Sequence, residues 1–398
     1  MTGLRIGVVG GSIAGCAMAI AGTRAGAEVT VHERSSGELQ DRGFGIVIPP
    51  PLHQELITGG YLGADMPTMP VATRIWLARA PGRHSTRELA RQSSPVSPCN
   101  WGLLWQALRS NIGESAYHRG LPVGSVGRTH SGHALIRTAD REQEYDIVVG
   151  ADGHRSVTRE LIAPEVRPAP AGYLVWRGTI PLSALRDHPK QLELLKTAWI
   201  TLGFPGGHGV FYLIPGADPG SRLLAYAIYA YPPASAPISA SASEVPVCAA
   251  YVRNIADEHF PAEWADVVAR GEHTSQKLHP VADFVVPRAA EPPFLLAGDA
   301  ASVTRPHTAS GAVKALQDAL CLERTLRESP SAAEALRRYA DERTAEGARL
   351  VGLGRRLGRA LVENTPDWPA MGPADVNTWS RATLNGARSY LYGGVHQR

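Results

Sequence analysis

Residues 5–34 read RIGVVGGSIAGCAMAIAGTRAGAEVTVHER, and this stretch decides the fold. A short apolar strand over residues 6–9 runs into a glycine-rich turn, which opens a helix over residues 13–25. A second strand, residues 29–32, delivers Glu33 about twenty residues after the turn. In this arrangement backbone N–H groups approach a pyrophosphate at the positive end of the helix, and the carboxylate accepts both ribose hydroxyls. The stretch therefore predicts a dinucleotide-binding unit.

The turn departs from the G-x-G-x-x-G fingerprint at one position. Gly10 and Gly15 fit the pattern, but Ser12 stands where the second glycine is usual. Serine is small and can donate a hydrogen bond to phosphate, so the departure is compatible with a nucleotide. The alternative is a glycine-rich turn without a ligand, which the preceding strand and the following acid disfavour. No charge falls between Arg5 and Arg24, yet five glycines and an amphipathic continuation argue against a membrane span or a signal sequence.

Length and composition are those of an ordinary globular protein. The chain has 398 residues, which is long for one domain and predicts two packed units. Its net charge of +3 is small and its basic residues are scattered, so neither a nucleic-acid surface nor a membrane-binding surface is expected. The four cysteines lie far apart, which suits reduced thiols in the cytoplasm. The fourteen histidines are also scattered, and no metal site is predicted.

Two further apolar runs end in an aspartate. Residues 145–153, YDIVVGADG, place Asp152 at the carboxyl end of a strand. Residues 293–301, PFLLAGDAA, repeat the pattern with Asp299. Open α/β sheets bind ligands at the carboxyl ends of their strands, so both acids are candidate ligand contacts. A helix cap is the alternative for Asp152.

Helices dominate the last third of the sequence. The run RPHTASG at residues 305–311 precedes a predicted helix over residues 312–327. The N-terminus of that helix has free N–H groups and a positive dipole, which would stabilise anionic charge on a ring system. Further helices are predicted over residues 332–362 and 374–390.

The middle of the chain predicts a separate, largely antiparallel sheet. Between residues 172 and 232 apolar strands alternate with Gly/Pro turns. Trp176, Arg177 and Tyr212 lie on these strands and suit the walls of an aromatic ligand site, although most aromatic residues in any sheet belong to its core. Upstream, residues 92–98 are rich in Ser and Pro and are predicted to form a loop.

The three acid-bearing motifs, in this order and spacing, resemble the FAD-dependent single-component aromatic hydroxylases of the para-hydroxybenzoate hydroxylase fold. The resemblance runs from residue 4 to about residue 330. It is closest in motif to the 2,6-dihydroxypyridine hydroxylase branch, through the turn that follows Arg42, YLVWRGTIP at residues 173–181, and RPHTA at residues 305–309. It implies an α/β fold with a Rossmann-like FAD-binding domain, an interleaved and largely antiparallel substrate domain, and a C-terminal helical segment.

The same resemblance implies a discontinuous domain organisation. The expected FAD-binding domain comprises residues 1–70, 100–170 and 285–330, the expected substrate domain comprises residues 71–99 and 171–284, and the C-terminal helices comprise residues 331–398.

The resemblance also assigns roles toward the nucleotide half of FAD. Gly10, Ser12 and Gly15 would hold the pyrophosphate. The residues that would contact the adenosine, or brace the cofactor and the groove for the reducing nucleotide, are Glu33, Arg34, Val126 and Asp152. Arg42 would lie near both the flavin and the pyrophosphate.

Toward the flavin, Asp299 after Gly298 would contact the ribityl chain, and Pro306 would lie against the isoalloxazine. Backbone amides from Thr308 to Gly311 would face the N1–C2=O edge of the ring. One departure is present here, because Thr-Ala-Ser-Gly at residues 308–311 replaces the Gly-Gly-Gln-Gly run that is common in the family.

The implied activity is a monooxygenation that consumes NAD(P)H and O2. NAD(P)H reduces the flavin, oxygen adds at flavin C4a, and the resulting hydroperoxide hydroxylates an electron-rich aromatic or hydroxypyridine-like small molecule. A base or a tyrosine near the substrate hydroxyl would help it lose its proton. The candidates for this role are His307, Tyr212, His208 and His53, with His307 ranked first because the motif puts it beside the flavin.

Other functions are compatible with the same residues. A flavoprotein of this fold could epoxidise or otherwise oxidise a natural product, whereas the W-x-W-x-I-P run usual in halogenases of this fold is absent. The non-enzymatic alternative is a binding or regulatory protein that binds a dinucleotide without turnover. A yellow purified protein favours the flavoprotein, and a colourless one that binds only NAD favours the plain binding module. A homo-oligomer is compatible with the sequence but is not indicated by it.

Overall fold

The computed structural model describes residues 3–40, 44–232, 245–271 and 276–395. The strands are β1 (Arg5–Val9), β2 (Glu28–His32), β3 (Gly45–Ile48), β4 (Val71–Arg79), β5 (Thr86–Asn100), β6 (Tyr117–His118), β7 (Ser125–Arg128), β8 (Ala134–Arg137), β9 (Glu142–Tyr145), β10 (Ile147–Gly150), β11 (Ala169–Pro181), β12 (Ala198–Phe204), β13 (Gly207–Pro215), β14 (Arg222–Ala230), β15 (Lys277–Val285), β16 (Ala290–Glu291), β17 (Phe294–Leu296) and β18 (Ser302–Val303). The α-helices are α1 (Ile13–Arg24), α2 (Pro50–Thr58), α3 (Trp101–Arg109), α4 (Val157–Ile162), α5 (Pro189–Thr197), α6 (Val245–His259), α7 (Ala262–Ala269), α8 (Gly311–Glu328), α9 (Ala332–Gly358) and α10 (Pro373–Leu384).

The first sheet contains the dinucleotide-binding unit predicted from residues 5–34. Among the described residues its strand order is β16-β17-β10-β1-β2-β6. Strands β17, β10, β1 and β2 run parallel to one another. Their apolar side chains share one hydrophobic core with α1 and α8, as expected for parallel strands that are covered by helices. The predicted strand, turn, helix and strand are confirmed to within one residue at each end.

The second sheet is large and almost wholly antiparallel. Its order over the described strands is β18-β15-β11-β14-β13-β12-β4-β5-β3, and only the β12–β4 pair is parallel. One face packs against α6 and α7 through residues such as Trp176 and Phe211. The other face carries Trp76, which stacks on Trp368 from the C-terminal region at 5.5 Å between ring centroids. Successive residues of each strand therefore point to two different environments.

The predicted α/β class, with a largely antiparallel second sheet and C-terminal helices, is confirmed. A small third sheet, β7-β8-β9, packs beside the first through Val126, Ile136 and Phe294. No helix in the described part of the chain combines the length and the apolar character that a membrane crossing needs.

The loop prediction for residues 92–98 is wrong, because these residues belong to the fifteen-residue strand β5. Gln92, Ser94 and Val96 point to the buried face and alternate with exposed neighbours. The polar side chains are satisfied by distant partners: Gln92 Oε1 accepts a hydrogen bond from Trp76 Nε1 at 2.8 Å, and Ser94 Oγ donates to Leu391 O at 2.9 Å. A polar composition therefore concealed a strand whose partners lie far away in the sequence.

Helix bounds also differ from prediction in three places. No element is predicted over Pro189–Thr197, where α5 forms with proline at its first position. Helix α9 ends at Gly358 and a π-helical turn, Arg359–Glu363, follows it. Helix α10 ends at Leu384, earlier than predicted, because Asn385 adopts a left-handed conformation with φ of 45°.

Candidate cofactor and substrate site

The three predicted strand-end motifs meet at one edge of the first sheet. β17, β10 and β1 are adjacent parallel strands, so their carboxyl ends lie side by side. Gly10, Asp152 and Asp299 follow these strands and line a single cavity of about 1200 Å³. The cavity is larger than the ~300–1,000 Å³ typical of a drug-sized ligand. The cavity is therefore large enough for an extended ligand such as a dinucleotide.

Close backbone contacts explain two of the three positions in the nucleotide turn. Gly10 has φ of +96°, and a Cβ there would lie 2.6 Å from Ala151 O. A Cβ on Gly15 would lie only 1.8 Å from Gly10 O. Gly15 does not line the cavity, so this glycine lets α1 approach the turn and does not itself contact a ligand. Ser12 has φ of −78°, which any residue adopts, and its side chain makes no capping hydrogen bond.

The backbone N–H and C=O of Gly11 make four hydrogen bonds to side chains. Its carbonyl oxygen accepts from Trp105 Nε1 at 2.9 Å, from Tyr117 Oη at 2.8 Å and from Cys16 Sγ at 3.2 Å. Its N–H donates to Glu33 Oε2 at 2.7 Å. Glu33 is buried, and its second oxygen accepts from Ser35 N at 2.8 Å. The carboxylate predicted to bind the ribose is thereby also the group that orients the turn.

Sequence reasoning missed Trp105 and Tyr117. Trp105 lies at a buried position of α3, and Asn100 caps the first turn of that helix, with Gly102 N donating to Asn100 Oδ1 at 2.8 Å. Tyr117 lies on the two-residue strand β6. Nothing in their spacing relative to the glycines distinguishes them, because both reach the turn only through tertiary packing.

The two strand-end aspartates are held differently. Asp152 Oδ2 accepts from Val157 N at 2.8 Å, and burial raises the pKa of this carboxyl group. Asp299 is half-exposed and pairs with Lys314 Nζ at 2.9 Å, whose side chain is buried. Gly298, with φ of +58°, donates its N–H to Asp318 Oδ2 at 2.8 Å. Asp152 therefore accepts from the first N–H of α4 and also lines the cavity, whereas the N-cap of that helix is Ser156, whose Oγ accepts from Arg159 N.

Not every residue predicted to contact the adenosine lies on the cavity wall. Arg34 lines it, as do Pro122 and Val123. Val126 does not line the cavity, because its side chain is buried in the core of the small third sheet. Arg42 lies outside the described residues.

The run from Arg305 to Gly311 forms a 3-10 turn and then opens α8. Pro306 and Gly311 both line the cavity. Ala309 is left-handed, with φ of 50°, at one of the glycine positions of the family pattern. Its carbonyl oxygen accepts a hydrogen bond from Tyr390 Oη at 2.8 Å. This turn therefore presents the N-terminus of α8 to the cavity, where its dipole favours negative charge.

The large sheet forms the opposite wall, and alternation decides which side chains face it. On β11, Val175 and Arg177 line the cavity. Trp176 points to the other face, where it packs in the core beside Tyr251 with 5.3 Å between ring centroids. The prediction of Trp176 as a substrate wall is therefore wrong, because adjacent strand residues cannot both face one side.

Tyr212 on β13 lines the cavity as predicted. Its hydroxyl donates to Gly45 O at 2.7 Å, and burial raises the pKa of this hydroxyl. Tyr212 therefore remains protonated and presents its ring to the cavity, while its proton is engaged with the backbone.

His307 and His208 lie together in an aromatic cluster. His307 Nε2 is 2.6 Å from Tyr173 Oη, and its ring is 4.6 Å from that of Tyr229. The His208 ring stacks on Tyr229 at 4.5 Å and lies 5.1 Å from His307. Burial lowers the pKa of His208 to about 3 and that of His307 well below its usual value. Both imidazoles are therefore neutral at physiological pH.

Of the remaining candidates, His53 lies on α2 and does not line the cavity. Tyr173, the partner of His307, was not predicted as a site residue, although it begins the YLVWRGTIP run. No group of three or more His, Cys, Asp or Glu side chains suited to a metal ion occurs among residues 3–40, 44–232, 245–271 and 276–395.

The arrangement fits FAD. The glycine turn and the N-terminus of α1 suit the anionic pyrophosphate at one end of the cavity. The aromatic sheet face and Pro306 at the other end suit a flat ring system, and the neutral histidines there add hydrogen-bonding groups without adding charge. The cavity continues beyond Pro306, which leaves room for a second, smaller aromatic molecule.

Comparison with protein families agrees with this fit. Residues 123–353 match the family model described as FAD binding domain. The match covers more than half of the chain and includes both the Asp152 and the Asp299 motifs.

Individual relatives have similar lengths. The chain is 27% identical over 338 residues to the 2,6-dihydroxypyridine 3-monooxygenase of Paenarthrobacter nicotinovorans, covering 80% of this chain and 81% of that protein. It is 28% identical over 407 residues to the 3-amino-4-hydroxybenzoate 2-monooxygenase of Streptomyces cremeus, covering 98% and 95%. The fold superposes on the solved 2,6-dihydroxypyridine-3-hydroxylase of Arthrobacter nicotinovorans with a TM-score of 0.80 at 24% identity, covering 93% of this chain and 96% of that one.

Proposed function

The chain belongs to the FAD binding domain family and is an FAD-dependent aromatic monooxygenase, and on this premise we propose that it uses NAD(P)H and O2 to hydroxylate an electron-rich aromatic or hydroxypyridine-like small molecule. The observation that carries the proposal is a single cavity that begins at the nucleotide turn and continues to the aromatic face of the large sheet. Bound FAD would supply the redox chemistry, taking electrons from NAD(P)H and activating O2 for transfer of one oxygen atom to the ring. The oxygen-transfer route expected from the resemblance is part of this proposal.

The residues proposed to hold FAD divide along the cavity. Ser12 and the N-terminus of α1 would bind the pyrophosphate, with Glu33 on the ribose and Arg34 on the adenine side. At the other end, Asp299 would bind the ribityl chain, kept in place by its ion pair with Lys314. The N-terminus of α8 would stabilise negative charge on the reduced ring.

The proposed substrate region lies between Pro306 and the face of the large sheet. Tyr229 and Tyr212 would pack against the substrate ring, and Arg177 would contribute a positive charge beside it. The neutral imidazole of His307 would accept a hydrogen bond from the substrate hydroxyl and so increase electron density on the ring. Burial disfavours the imidazolium form of His307. The proposed role is therefore that of a neutral hydrogen-bond acceptor that orients the hydroxyl proton of the substrate.

The proposal is tested on the purified full-length protein. We expect a yellow protein with the absorbance of oxidised flavin. Oxidation of NADH or NADPH should accelerate when a hydroxypyridine or an aminohydroxybenzoate is added. Oxygen uptake should match this rate, and mass spectrometry with ¹⁸O₂ should find one labelled oxygen atom in the product.

A pair of glycine variants controls for the cofactor site. Gly10 and Gly132 both have positive φ, but only the Cβ of Gly10→Ala would clash, at 2.6 Å from Ala151 O. We expect Gly10→Ala to lose FAD and turnover, and Gly132→Ala, where nothing lies within 4 Å, to keep both. Absence of substrate-stimulated NAD(P)H or oxygen consumption across the panel would contradict the proposed function.

The discontinuous domain division expected from the sequence, and a cytoplasmic location, belong to the same proposal. Buried free thiols at Cys16, Cys99 and Cys321 support a reducing location. Size-exclusion chromatography of the purified protein tests for the homo-oligomer that the sequence leaves open.

A further inference from the structure

The turn that opens α8 is bound by a tyrosine from the C-terminal end of the chain. Ala309 is one of two non-glycine residues with a positive φ in the described part of the chain, and its φ is 50°. Its carbonyl oxygen accepts a hydrogen bond from Tyr390 Oη at 2.8 Å. Ala309 and Ser310 line the cavity, whereas Tyr390 does not. Tyr390 therefore contacts this turn from behind the cavity wall.

The segment that carries Tyr390, Tyr390–Val395, is anchored to the large sheet. Leu391 O accepts a hydrogen bond from Ser94 Oγ of β5 at 2.9 Å. The next residue, Tyr392, is buried, and its ring centroid lies 4.6 Å from the guanidinium carbon of Arg74 on β4. Two strands of the sheet thus fix the backbone on which the Tyr390 hydroxyl is mounted.

Hydroxyl groups hold the same turn from within. Thr308 Oγ1 and Ser310 Oγ are 2.6 Å apart, and Ser310 Oγ is 3.2 Å from Thr304 Oγ1. All three of these residues are buried. The hydroxyl bonds fix side chains on either side of Ala309, while the bond from Tyr390 fixes its backbone carbonyl. The Thr-Ala-Ser-Gly run therefore has restraints of its own in place of those of the common family run.

The direction of the Ala309 carbonyl matters because of peptide geometry. In a trans peptide the C=O and the N–H point in opposite directions, so the N–H of Ser310 points away from Tyr390. The N–H groups of Gly311 and Ala312 follow at the start of α8, where the first N–H groups of a helix lack partners within the helix. The conformation of Ala309 therefore sets the direction in which this helix offers its free donors.

Two opposing free energies act on Ala309. A left-handed conformation costs a non-glycine residue about 1–2 kcal/mol. One neutral hydrogen bond contributes about 1 kcal/mol. The bond from Tyr390 is thus of the size needed to offset much of the strain, and without it Ala309 is free to relax and turn the following peptide.

We propose that Tyr390 is a positioning residue for the flavin: it holds Ala309 in the left-handed conformation and so directs the N–H groups at the start of α8 toward the N1–C2=O edge of the ring. The inference rests on the part of the proposed function that places the isoalloxazine beside Pro306. Aligned donors and the helix dipole favour the anionic reduced flavin over the neutral oxidised one. Tyr390 therefore raises the reduction potential of bound FAD without touching it.

The test compares the two redox states of the cofactor in Tyr390→Phe, which keeps the ring and loses only the hydroxyl. The two-electron reduction potential of the FAD-loaded protein is measured by equilibration with a reference dye, without substrate or NAD(P)H. We expect the ratio of reduced to oxidised flavin at a fixed dye potential to fall roughly five- to tenfold, which is about 20–30 mV for a two-electron couple. Titration of the apoprotein should show affinity for oxidised FAD within about threefold of the wild type.

Two further variants separate positioning from packing. Tyr251→Phe removes the same kind of bond, from Tyr251 Oη to Tyr231 O at 2.7 Å, away from the cavity wall and should leave the potential unchanged. Glycine adopts the left-handed conformation without steric cost. Adding Tyr390→Phe to Ala309→Gly should therefore change the flavin ratio by less than about twofold relative to Ala309→Gly alone. Melting temperature and FAD content are recorded for every variant.

An unchanged potential in Tyr390→Phe would overturn the inference, because a packing role weakens oxidised and reduced FAD equally. An equal fall in Tyr251→Phe, or an undiminished fall in the Ala309→Gly background, would overturn it as well. Hydroxylation is measured separately. A flavoprotein whose potential depends on Tyr390 but that hydroxylates no ring keeps this inference and loses the proposed function, and a hydroxylase whose potential ignores Tyr390 gives the opposite result.

Discussion

At the scale of the residue, the serine in the nucleotide turn has a simple explanation. Ser12 adopts an ordinary extended conformation, so its position does not need the freedom of glycine. The demanding positions are Gly10, because of its positive φ, and Gly15, because of its contact with Gly10 O. Between them, the carbonyl of Gly11 is fixed by side chains from α3, β6 and α1. The turn is therefore rigid before any ligand arrives, which lowers the ordering cost of binding.

Removing one donor to the Gly11 carbonyl should weaken FAD binding. Trp105→Phe keeps the buried ring but loses the Nε1–H···O bond of 2.9 Å. A neutral hydrogen bond contributes about 1 kcal/mol, so we expect the dissociation constant of FAD to rise about fivefold. Titration of the apoprotein with FAD measures this change. Trp264→Phe is the control, since its buried Nε1 has no hydrogen-bond partner among the described residues and FAD affinity should stay unchanged.

Ala309 is strained in a way that glycine would relieve. A left-handed conformation costs a non-glycine residue about 1–2 kcal/mol, and the entropy lost by glycine on folding returns up to about 1 kcal/mol of this. We expect Ala309→Gly to leave the melting temperature unchanged or to raise it by a few degrees. Ala345→Gly, at an exposed position inside α9, should lower stability by about 1 kcal/mol. A clear loss of stability in Ala309→Gly would contradict this account of the turn.

At the scale of the element, glycines on one side of α9 let this helix pack closely against Arg305 and Tyr173. A Cβ on Gly354 would lie 3.1 Å from Arg305 N, and a Cβ on Gly358 would lie 2.4 Å from Tyr173 Oη. Tyr173 is the hydrogen-bond partner of His307. The spacing of these glycines imitates a nucleotide turn, but no strand precedes it, which predicts close helix packing, and the contacts of Gly354 and Gly358 confirm that packing. Small residues here set the position of the aromatic cluster.

Two glycines of the same helix should therefore respond oppositely to alanine. Gly358→Ala places its methyl group against Tyr173 and Arg305 and should destabilise the protein by about 1–3 kcal/mol, with a shift in substrate affinity as Tyr173 moves. Gly352→Ala has only Arg356 Nη1 within 4 Å, at 3.8 Å, and should be neutral or stabilising by up to about 1 kcal/mol. Chemical denaturation of both variants measures the difference. Equal effects would mean that packing at Gly358 is looser than the structure indicates.

At the scale of the whole molecule, the cavity lies between two sheets of different character. The parallel sheet supplies strand ends and helix N-termini, which suit phosphates. The antiparallel sheet supplies a broad face of side chains, which suits flat rings. This arrangement buries several polar rings, among them His32, His208 and His307. Their burial lowers their pKa values.

These histidines predict that stability falls in mild acid. Burial lowers the pKa of His32 to about 4 and that of His208 to about 3, whereas both are near 6.5 when unfolded. Below about pH 6.5 the unfolded chain therefore binds more protons than the folded one, and the free energy of unfolding decreases as pH falls toward 4. Each such histidine contributes a slope of up to about 1.4 kcal/mol per pH unit. Above pH 7 their contribution is constant.

Urea denaturation at pH 5, 6 and 7 checks this dependence. His208→Phe keeps the stacked ring and removes one titrating group, so the pH slope should decrease by about one proton. His130→Asn, at an exposed position, should leave the slope unchanged. A stability that is flat between pH 7 and 5 would show that these imidazoles are not buried in their neutral form.

Several features of this protein were determined by the sequence alone. The dinucleotide unit, the Asp152 and Asp299 strand ends, the antiparallel second sheet and the family-level chemistry could all be predicted. The structural features depend on neighbouring residues, because apolar runs specify strands and glycines with an acid at fixed spacing specify a nucleotide turn. The chemistry was implied by the resemblance of the three motifs to the aromatic hydroxylases.

The composition of the cavity was decided only by the tertiary structure. Strand order and the helices that cover the opposite face decide which face of β11 lines the cavity. For this reason Arg177 lines the cavity and Trp176 does not. The same holds for Trp105 behind the turn and for Arg74 on the cavity wall, which come from segments distant in sequence. The physical reason is that local pattern determines an element and the period of its faces, whereas long-range pairing and packing determine which of those faces meets the ligand.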